Sequence, residues 1–167
     1  YKTILVHLNE HRHVAGLVDA ATYLATRDGA HLIGLFAMPP VKAFGSSSYG
    51  AGLIKGYLNT VRDEAEKVHQ AFEAACRNRG FAFEWRLVES GYKGVTDAVI
   101  EHGRSVDLII ASQRDPDANV GIIIDEPERL AIESGRPVLF IPFAGTFPTI
   151  GKRVLVREPE RRDAAVG

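Results

Sequence analysis

The stretch Val106–Asp117, which reads VDLIIASQRDPD, decides the predicted fold. Its apolar half has almost no polar break, which is typical of a strand buried on both faces in the middle of a parallel sheet. The sequence then becomes polar at Ser112. Because ligands of open α/β sheets bind beyond the carboxyl ends of the strands, where the strand order reverses, we expect Ser112–Asp117 to form one wall of a ligand site.

Segments with strand and helix patterns alternate on both sides of this stretch. Four more apolar runs predict strands, and apolar residues at helical spacing predict four helices. The predicted strands are Thr3–Leu8, His31–Ala37, Phe81–Val88 and Pro137–Pro142. The first predicted helix begins at Val14 and stops at Gly29, and the others are Leu53–Arg79, Val95–His102 and Pro127–Ser134. The predicted loops are Asn9–His13 and Met38–Gly52. Such alternation favours right-handed crossovers and a parallel sheet, so we predict a three-layer α/β/α domain over residues 1–143.

The composition argues against several classes of function. The chain has 167 residues, of which 46% are hydrophobic and 25% charged, as in ordinary globular proteins. A formal net charge of −1 creates no field that would attract nucleic acid or anionic lipid, and no apolar run reaches the roughly 20 residues of a transmembrane helix. We therefore predict no nucleic-acid partner and no membrane partner. The single cysteine, Cys76, excludes an internal disulfide framework, which favours a cytoplasmic location.

The first candidate cluster follows the first predicted strand. Its three histidines and one carboxylate, at His7, Glu10, His11 and His13, are residue types that bind transition metals. We nevertheless favour a solvated loop with incidental histidines. His7 belongs to the strand pattern, and His11 and His13 are too close in sequence to share one face of a helix. We therefore predict no metal site here.

The second candidate cluster is acidic and lies in the loop after the central strand. Its members are Asp115, Asp117, Asp125, Glu126 and Glu128. Paired carboxylates can act as general acid and base or hold a divalent cation. A turn at Asp115–Asp117 and a helix N-cap at Asp125 explain them equally well. Because the sequence contains no G-x-S-x-G, Cys–His or HExxH signature, we predict no catalytic residue.

The end of the chain is similar to its beginning. At an offset of about 150 positions, residues near the amino terminus align with identical residues, which are Lys152, Leu155, Val156, Glu160, Arg162 and Ala165. We predict that Ala144–Gly151 is a linker and that Lys152–Gly167 begins a second copy of the domain. Chance similarity of two short strands, with the tail as a simple extension, is the alternative.

Three strand patterns and the order of the elements resemble the universal stress protein (UspA-like) family. The segments are Ile4–Glu10 (ILVHLNE), Val106–Arg114 (VDLIIASQR) and Arg136–Pro142 (RPVLFIP), together with the long helix after a variable loop. The resemblance implies a Rossmann-like fold with a five-stranded parallel sheet, the strand order 3-2-1-4-5 and helices on both faces. It also implies a stress-response function and dimers through the last strand, and the tail resembles the tandem-domain type of the family.

The ATP-binding members of this family carry glycines that this sequence lacks. Asn9 stands at the position of an Asp after the first strand. Ser112 and Asp115 stand at the glycines of a Gly-x-x-Gly motif, and a Gly-Ser pair is replaced by Ile124 and Asp125. Side chains at these positions block the approach of backbone N–H groups to phosphate oxygens. At an effective dielectric constant of about 20, a like charge about 4 Å from a phosphate costs about 4 kcal/mol, which is about three decades of affinity.

By position, the resemblance implies a set of ligand-site residues, which are Asn9, Leu35, Ser112, Gln113, Arg114, Asp115, Ile124 and Asp125. We predict a non-enzymatic protein that acts as a homodimer, or as an intramolecular pseudo-dimer, through its fifth strand. It binds an unknown small molecule and needs no cofactor. The alternative is a protein that binds ATP or AMP, or a weak ATPase, with an altered phosphate loop. Equilibrium dialysis against ATP, AMP and a pool of metabolites separates the two.

Overall fold

The computed structural model of the protein describes residues 1–40, 48–91, 93–113, 127–143, 145, 147 and 149–151. Strands and helices alternate along the chain. They are β1 (Thr3–His7), α1 (His11–Asp28), β2 (His31–Met38), α2 (Ser48–Cys76), β3 (Phe83–Glu89), α3 (Val95–Gly103), β4 (Leu108–Ser112), α4 (Pro127–Glu133) and β5 (Val138–Ile141). Within these described ranges, none of the helices combines the length and the apolar composition needed to cross a membrane.

The strands form one parallel sheet in the predicted order, β3-β2-β1-β4-β5. β1 is central, with Val6 opposite Gly34 of β2 on one side and Ile110 of β4 on the other. The chain first fills the positions on one side of β1 and then crosses to the other side. The strand order therefore reverses between β1 and β4, where open α/β sheets bind their ligands.

Two apolar cores lie on the two faces of the sheet. The first core packs α1 and α2 against residues such as Ile4 and Val6, and the second core packs α3 and α4 against residues such as Leu5. Neighbouring residues of β1 belong to different cores because side chains alternate between the two faces of a strand. Burial on both faces explains why the central strands are continuous apolar runs in the sequence.

The carboxylate of Asp107 joins the starts of β1 and β4. It accepts hydrogen bonds from the backbone N–H groups of Lys2, at 2.7 Å, and Thr3, at 2.9 Å. These bonds stabilise the charged form and lower the pKa of the Asp107 carboxyl below its usual value. Asp107, a polar residue within the stretch that decides the fold, therefore connects two neighbouring strands.

Two loops are shorter in the structure than the sequence predicts. The predicted loop Asn9–His13 is wrong in its second half, because α1 begins at His11. The predicted loop Met38–Gly52 is wrong at both ends, because β2 includes Met38 and α2 begins at Ser48. The glycines at positions 50 and 52 each lower helix propensity by about 1 kcal/mol. Packing of the 29-residue helix outweighs this cost.

The carboxyl-terminal end of α2 also differs from its prediction. The helix ends at Cys76 rather than at Arg79. Asn78, with φ of 61°, and Gly80, with φ of 78°, adopt left-handed backbone conformations that reverse the chain before β3. The remaining boundaries agree with the predicted ones to within one or two residues at most ends, which is the usual uncertainty of element ends.

Several predicted features lie outside the described residues, namely residues 41–47, residues 114–126 and the tail 152–167. The outer part of the predicted ligand wall, most of the acidic cluster and the second copy of the domain therefore stay predictions. Two residues of the predicted linker, Phe147 and Ile150, pack against the first core.

Candidate functional site

The structure brings the predicted residues Asn9, Ser112 and Gln113 to the same edge of the sheet. Asn9 follows the end of β1, and Ser112 is the last residue of the neighbouring strand β4. These strand ends lie at the reversal of strand order, and we call this edge of the sheet the β1–β4 crevice. The other predicted residues after β4 lie outside the described residues, namely Arg114, Asp115, Ile124 and Asp125.

The polar groups of the β1–β4 crevice bond to one another. Asn9 is 3% exposed, and its Oδ1 accepts a hydrogen bond from the Glu10 N–H at 2.9 Å. The Ser112 Oγ donates to the Gln113 carbonyl oxygen at 2.9 Å, and the Gln113 N–H donates to the Ile141 carbonyl oxygen at 2.7 Å. These bonds hold the loops after β1 and β4 in place. The exposed Gln113 side chain is the most accessible of these groups for a ligand.

Leu35 does not reach the open edge of the sheet. It lies inside β2 rather than at its end, is fully buried and packs in the second core. Its carbonyl oxygen accepts the Leu8 N–H at 2.9 Å. Leu35 therefore belongs to the floor of the sheet beneath the crevice, and its contact with a ligand stays a prediction.

His7 is the last residue of β1, as its strand pattern predicts, and it is buried, so the solvated surroundings expected for the histidine cluster do not apply to it. It is 1% exposed, and its Nε2 has no hydrogen-bond partner among the described residues. Burial disfavours the charged imidazolium and lowers the pKa of His7 from 6.5 to about 4. The ring is therefore neutral at physiological pH. The sequence signal for this burial is the position of His7 inside an apolar strand.

Glu10 is a buried carboxylate at the N-cap of α1. It is 3% exposed, and its Oε2 accepts a hydrogen bond from the Arg12 Nε at 2.6 Å. The His13 Nδ1 lies 3.8 Å from the same oxygen, and the His13 ring meets Phe143 edge-on with ring centroids 6.4 Å apart. The expectation of a solvated Glu10 is therefore also wrong. No local sequence pattern marks this burial, because the residues around Glu10 in the sequence are polar.

Carboxylates already occupy the amino-terminal end of α1. The His11 N–H donates to the Glu64 Oε1, on α2, at 2.8 Å, and the Glu10 side chain lies at the same end. The first N–H groups of a helix are the donors that bind phosphate groups in many nucleotide sites. Because Glu64 takes one of these donors and two negative charges are close by, this end of α1 is poorly suited to a further anion.

Comparison with known proteins identifies the fold through solved structures alone, because no protein-family model and no curated protein matches the sequence. A protein of the universal stress protein family from Burkholderia pseudomallei has 23% identity and a TM-score of 0.59, over 85% of this chain and 96% of that chain. Universal stress protein UspA from Lactobacillus plantarum has 15% identity and a TM-score of 0.63, over 84% and 97%. The chain has the universal stress protein fold.

A third structure with the universal stress protein fold contains a nucleotide. It is a universal stress protein from Archaeoglobus fulgidus in complex with dAMP, with 14% identity and a TM-score of 0.55, over 84% of this chain and 97% of that chain. The resemblance stated from the sequence is thus confirmed for the fold, including its sheet order. The predicted second copy of the domain, which would begin at Lys152, stays a prediction.

Within this universal stress protein fold, the described residues can be compared with the requirements of metal and thiol chemistry. No three His, Cys, Asp or Glu side chains among them are grouped to hold a metal ion. Cys76 is buried in α2, and burial raises the pKa of its thiol to about 12, which suppresses the nucleophilic thiolate. The described polar groups at the β1–β4 crevice are the Asn9 amide, the Ser112 hydroxyl and the Gln113 side chain, with the neutral His7 imidazole at the end of β1.

Proposed function

We propose that this protein is a universal stress protein-like stress-response protein that is not an enzyme and that acts as a pair of domains associated along β5. The observation that carries the proposal is the apolar, partly exposed edge strand β5. The proposal includes binding of a small molecule in the β1–β4 crevice without a cofactor. It also includes a cytoplasmic location, which the single cysteine of the sequence supports.

β5 has one neighbouring strand, β4, and a free edge on its other side within the described sheet. Val138, Leu139 and Phe140 are partly exposed along this edge. Ile132 of α4, which is 80% exposed, and Phe143, which is 42% exposed, add apolar surface before and after the strand. Unpaired backbone groups beside apolar side chains favour pairing with another strand. The partner is the β5 of a second copy, or of a second domain in a tandem chain as a pseudo-dimer.

Sedimentation velocity tests this association with a matched pair of variants. Leu139→Lys places a charge on β5, whereas Lys67→Ala changes a side chain on α2 that is 62% exposed. We expect the wild type and Lys67→Ala to sediment as pairs, and Leu139→Lys to sediment as a single domain. Circular dichroism verifies that Leu139→Lys is folded. A wild type that stays a single compact domain at high concentration would reject the proposal.

The proposed ligand is neutral or cationic rather than a polyphosphate. Its support is the amino-terminal end of α1, where the Glu64 carboxylate accepts the His11 N–H and Glu10 is buried. The substitutions Ser112, Asp115, Ile124 and Asp125 at the glycine positions of the ATP-binding family members support the same inference. Each of these features blocks a backbone N–H donor for phosphate oxygens with a bulky side chain, or adds negative charge beside it.

The second candidate function is binding of ATP or AMP, with or without weak ATPase activity. The observation in its favour is the dAMP in the Archaeoglobus fulgidus protein, which shares the fold. Calorimetric titration with ATP, AMP and dAMP separates the candidates. We expect a dissociation constant for ATP weaker than about 1 mM, which corresponds to about −4 kcal/mol. Micromolar binding, or phosphates seated on residues 112–125, would favour the nucleotide-binding function instead.

A further inference from the structure

A separate pocket opens at the carboxyl ends of β2 and β3, beside α2. Its volume is about 290 Å³. The residues that matter for its chemistry are Met38, Pro39, Leu58, Arg62, Glu89 and Ser90. We propose that this Ser90 pocket binds a free amino acid with an aliphatic side chain, a function beyond the one proposed above.

The hydroxyl of Ser90 is the first feature that indicates a ligand. The Ser90 N–H donates to the Met38 carbonyl oxygen at 3.1 Å, which fixes the residue at the ends of the two strands. Ser90 is 8% exposed, and its Oγ has no hydrogen-bond partner among the described residues. A buried hydroxyl without a partner destabilises the free protein. A ligand with a polar group in the pocket removes this destabilisation.

The charges of the pocket are the second feature. Arg62, on α2, and Glu89, at the end of β3, both line the pocket and are exposed. Neither forms an ion pair with another residue in the described part of the chain. A guanidinium binds a carboxylate through a pair of charge-assisted hydrogen bonds, and a carboxylate binds an ammonium group. One positive and one negative group in a single small pocket therefore match a zwitterion.

The size and the apolar walls decide which zwitterion fits. Ligand pockets of proteins have volumes of about 300–1,000 Å³, so about 290 Å³ is suited to a small ligand. Met38 is buried and Leu58 is half-buried, and both supply apolar surface, as does Pro39. An amino acid with an aliphatic side chain places its carboxylate at Arg62 and its ammonium group at Glu89. Its carboxylate then also accepts a hydrogen bond from the Ser90 hydroxyl, and its side chain contacts the apolar wall.

The Ser90 pocket shares no residue with the β1–β4 crevice, whose described residues are Asn9, Ser112 and Gln113. The two proposals can therefore fail independently. Loss of association through β5, or binding of a nucleotide in the crevice, does not affect the inference about the Ser90 pocket.

Three probes test the inference with the full chain. Two-dimensional NMR titration or calorimetry measures binding of L-leucine, of 4-methylpentanoate, which lacks the ammonium group, and of 3-methylbutylamine, which lacks the carboxylate. We expect L-leucine to bind and each analogue to bind at least about tenfold more weakly, because each loses one charge-assisted interaction. Absence of leucine binding at about 10 mM, near the weak limit of specific affinity, would overturn the proposal. Equal affinity of 4-methylpentanoate and leucine would overturn it as well.

Variants separate a binding role from a merely structural one. Arg62→Gln should weaken leucine binding and leave 3-methylbutylamine unaffected, and Glu89→Gln should weaken leucine binding and leave 4-methylpentanoate unaffected. Ser90→Ala should lower affinity for leucine without lowering the melting temperature of the free protein, since it removes an unpartnered hydroxyl. Lys67→Ala, on the same helix as Arg62, is the control and should bind leucine like the wild type. Leucine binding unchanged in both Arg62→Gln and Glu89→Gln would place the ligand elsewhere and refute the assignment.

Discussion

Replacing His7 by leucine should remove a loss of stability that the wild-type protein has in mild acid. In the unfolded chain His7 has the ordinary pKa of 6.5, and burial in the fold lowers its pKa to about 4. A difference of one between two pKa values corresponds to about 1.36 kcal/mol, so these two values correspond to about 3.4 kcal/mol. Because the ring is 1% exposed, screening by solvent reduces this figure only slightly.

The loss of stability falls between pH 6.5 and about pH 4. Above pH 6.5 the ring is neutral in both states, and its contribution does not change with pH. Between the two values the unfolded chain binds a proton that the folded chain does not bind, so the free energy of unfolding falls as the pH falls. Below about pH 4 both states are protonated, and the loss has reached its full size.

Urea unfolding at several pH values between about 7 and 4 measures these free energies. The two proteins differ at this one residue, so the difference between wild type and His7→Leu isolates the histidine. At pH 7 we expect His7→Leu to be at least as stable, because it removes a buried nitrogen with no described partner. By pH 4 it should gain about 3 kcal/mol relative to the wild type.

The control for this experiment is His11→Gln, which removes an exposed histidine. The same urea series is measured on this variant, and the gain of His7→Leu toward pH 4 should exceed any change seen there. Parallel curves for the wild type and His7→Leu would refute the reasoning. An NMR titration that gives His7 a pKa near 6.5 would do the same.

Three further substitutions or reactions test the packing and the charges of the fold. Gly34→Ala places a Cβ 2.8 Å from the Phe72 ring, so we expect a loss of about 1–3 kcal/mol in the free energy of unfolding. Phe72→Leu should relieve part of it in a double-mutant cycle, and additive effects would contradict the contact. Arg129→Gln removes a guanidinium that donates to Asp97 at 2.6 Å and lowers its pKa. The pKa of Asp97, measured by NMR, should then rise. The stability that the pair contributes at neutral pH should be lost, which is less than about 1 kcal/mol for partly exposed groups. An unchanged Asp97 pKa would contradict the pair. Burial raises the pKa of Cys76 to about 12, so Ellman's reagent should react with it only after unfolding, and rapid reaction of the native protein would show an accessible thiolate.

The sheet was predictable because strands buried on both faces have consecutive apolar residues. β4 is an apolar run in the sequence and lies between β1 and β5 in the structure. No local sequence pattern predicts the order of the strands, and the prediction of that order came from the resemblance to a known family. The start of α2 could not be predicted, because packing along the helix outweighs the glycines at its beginning.

The candidate site was predictable only where it lies at the end of a strand. Asn9 and Ser112 met this condition, and the structure places both at the reversal of strand order. Glu10 is 3% exposed although its sequence neighbours are polar, so the local pattern did not predict its burial. The Ser90 pocket is a similar case, because it needs Met38, Arg62 and Ser90 from three different elements.

The central position of β1 has a consequence for the synthesis of the protein. β1 leaves the ribosome before its second neighbour β4, and Thr3 and Asp107, which join the two strands, are 104 positions apart. At about 5–20 residues per second, one side of β1 therefore waits about 5–20 s for its partner. An unpaired apolar strand edge is a site of association with other chains. The strand that has a neighbour on each side in the finished sheet therefore keeps one open edge until β4 has been made.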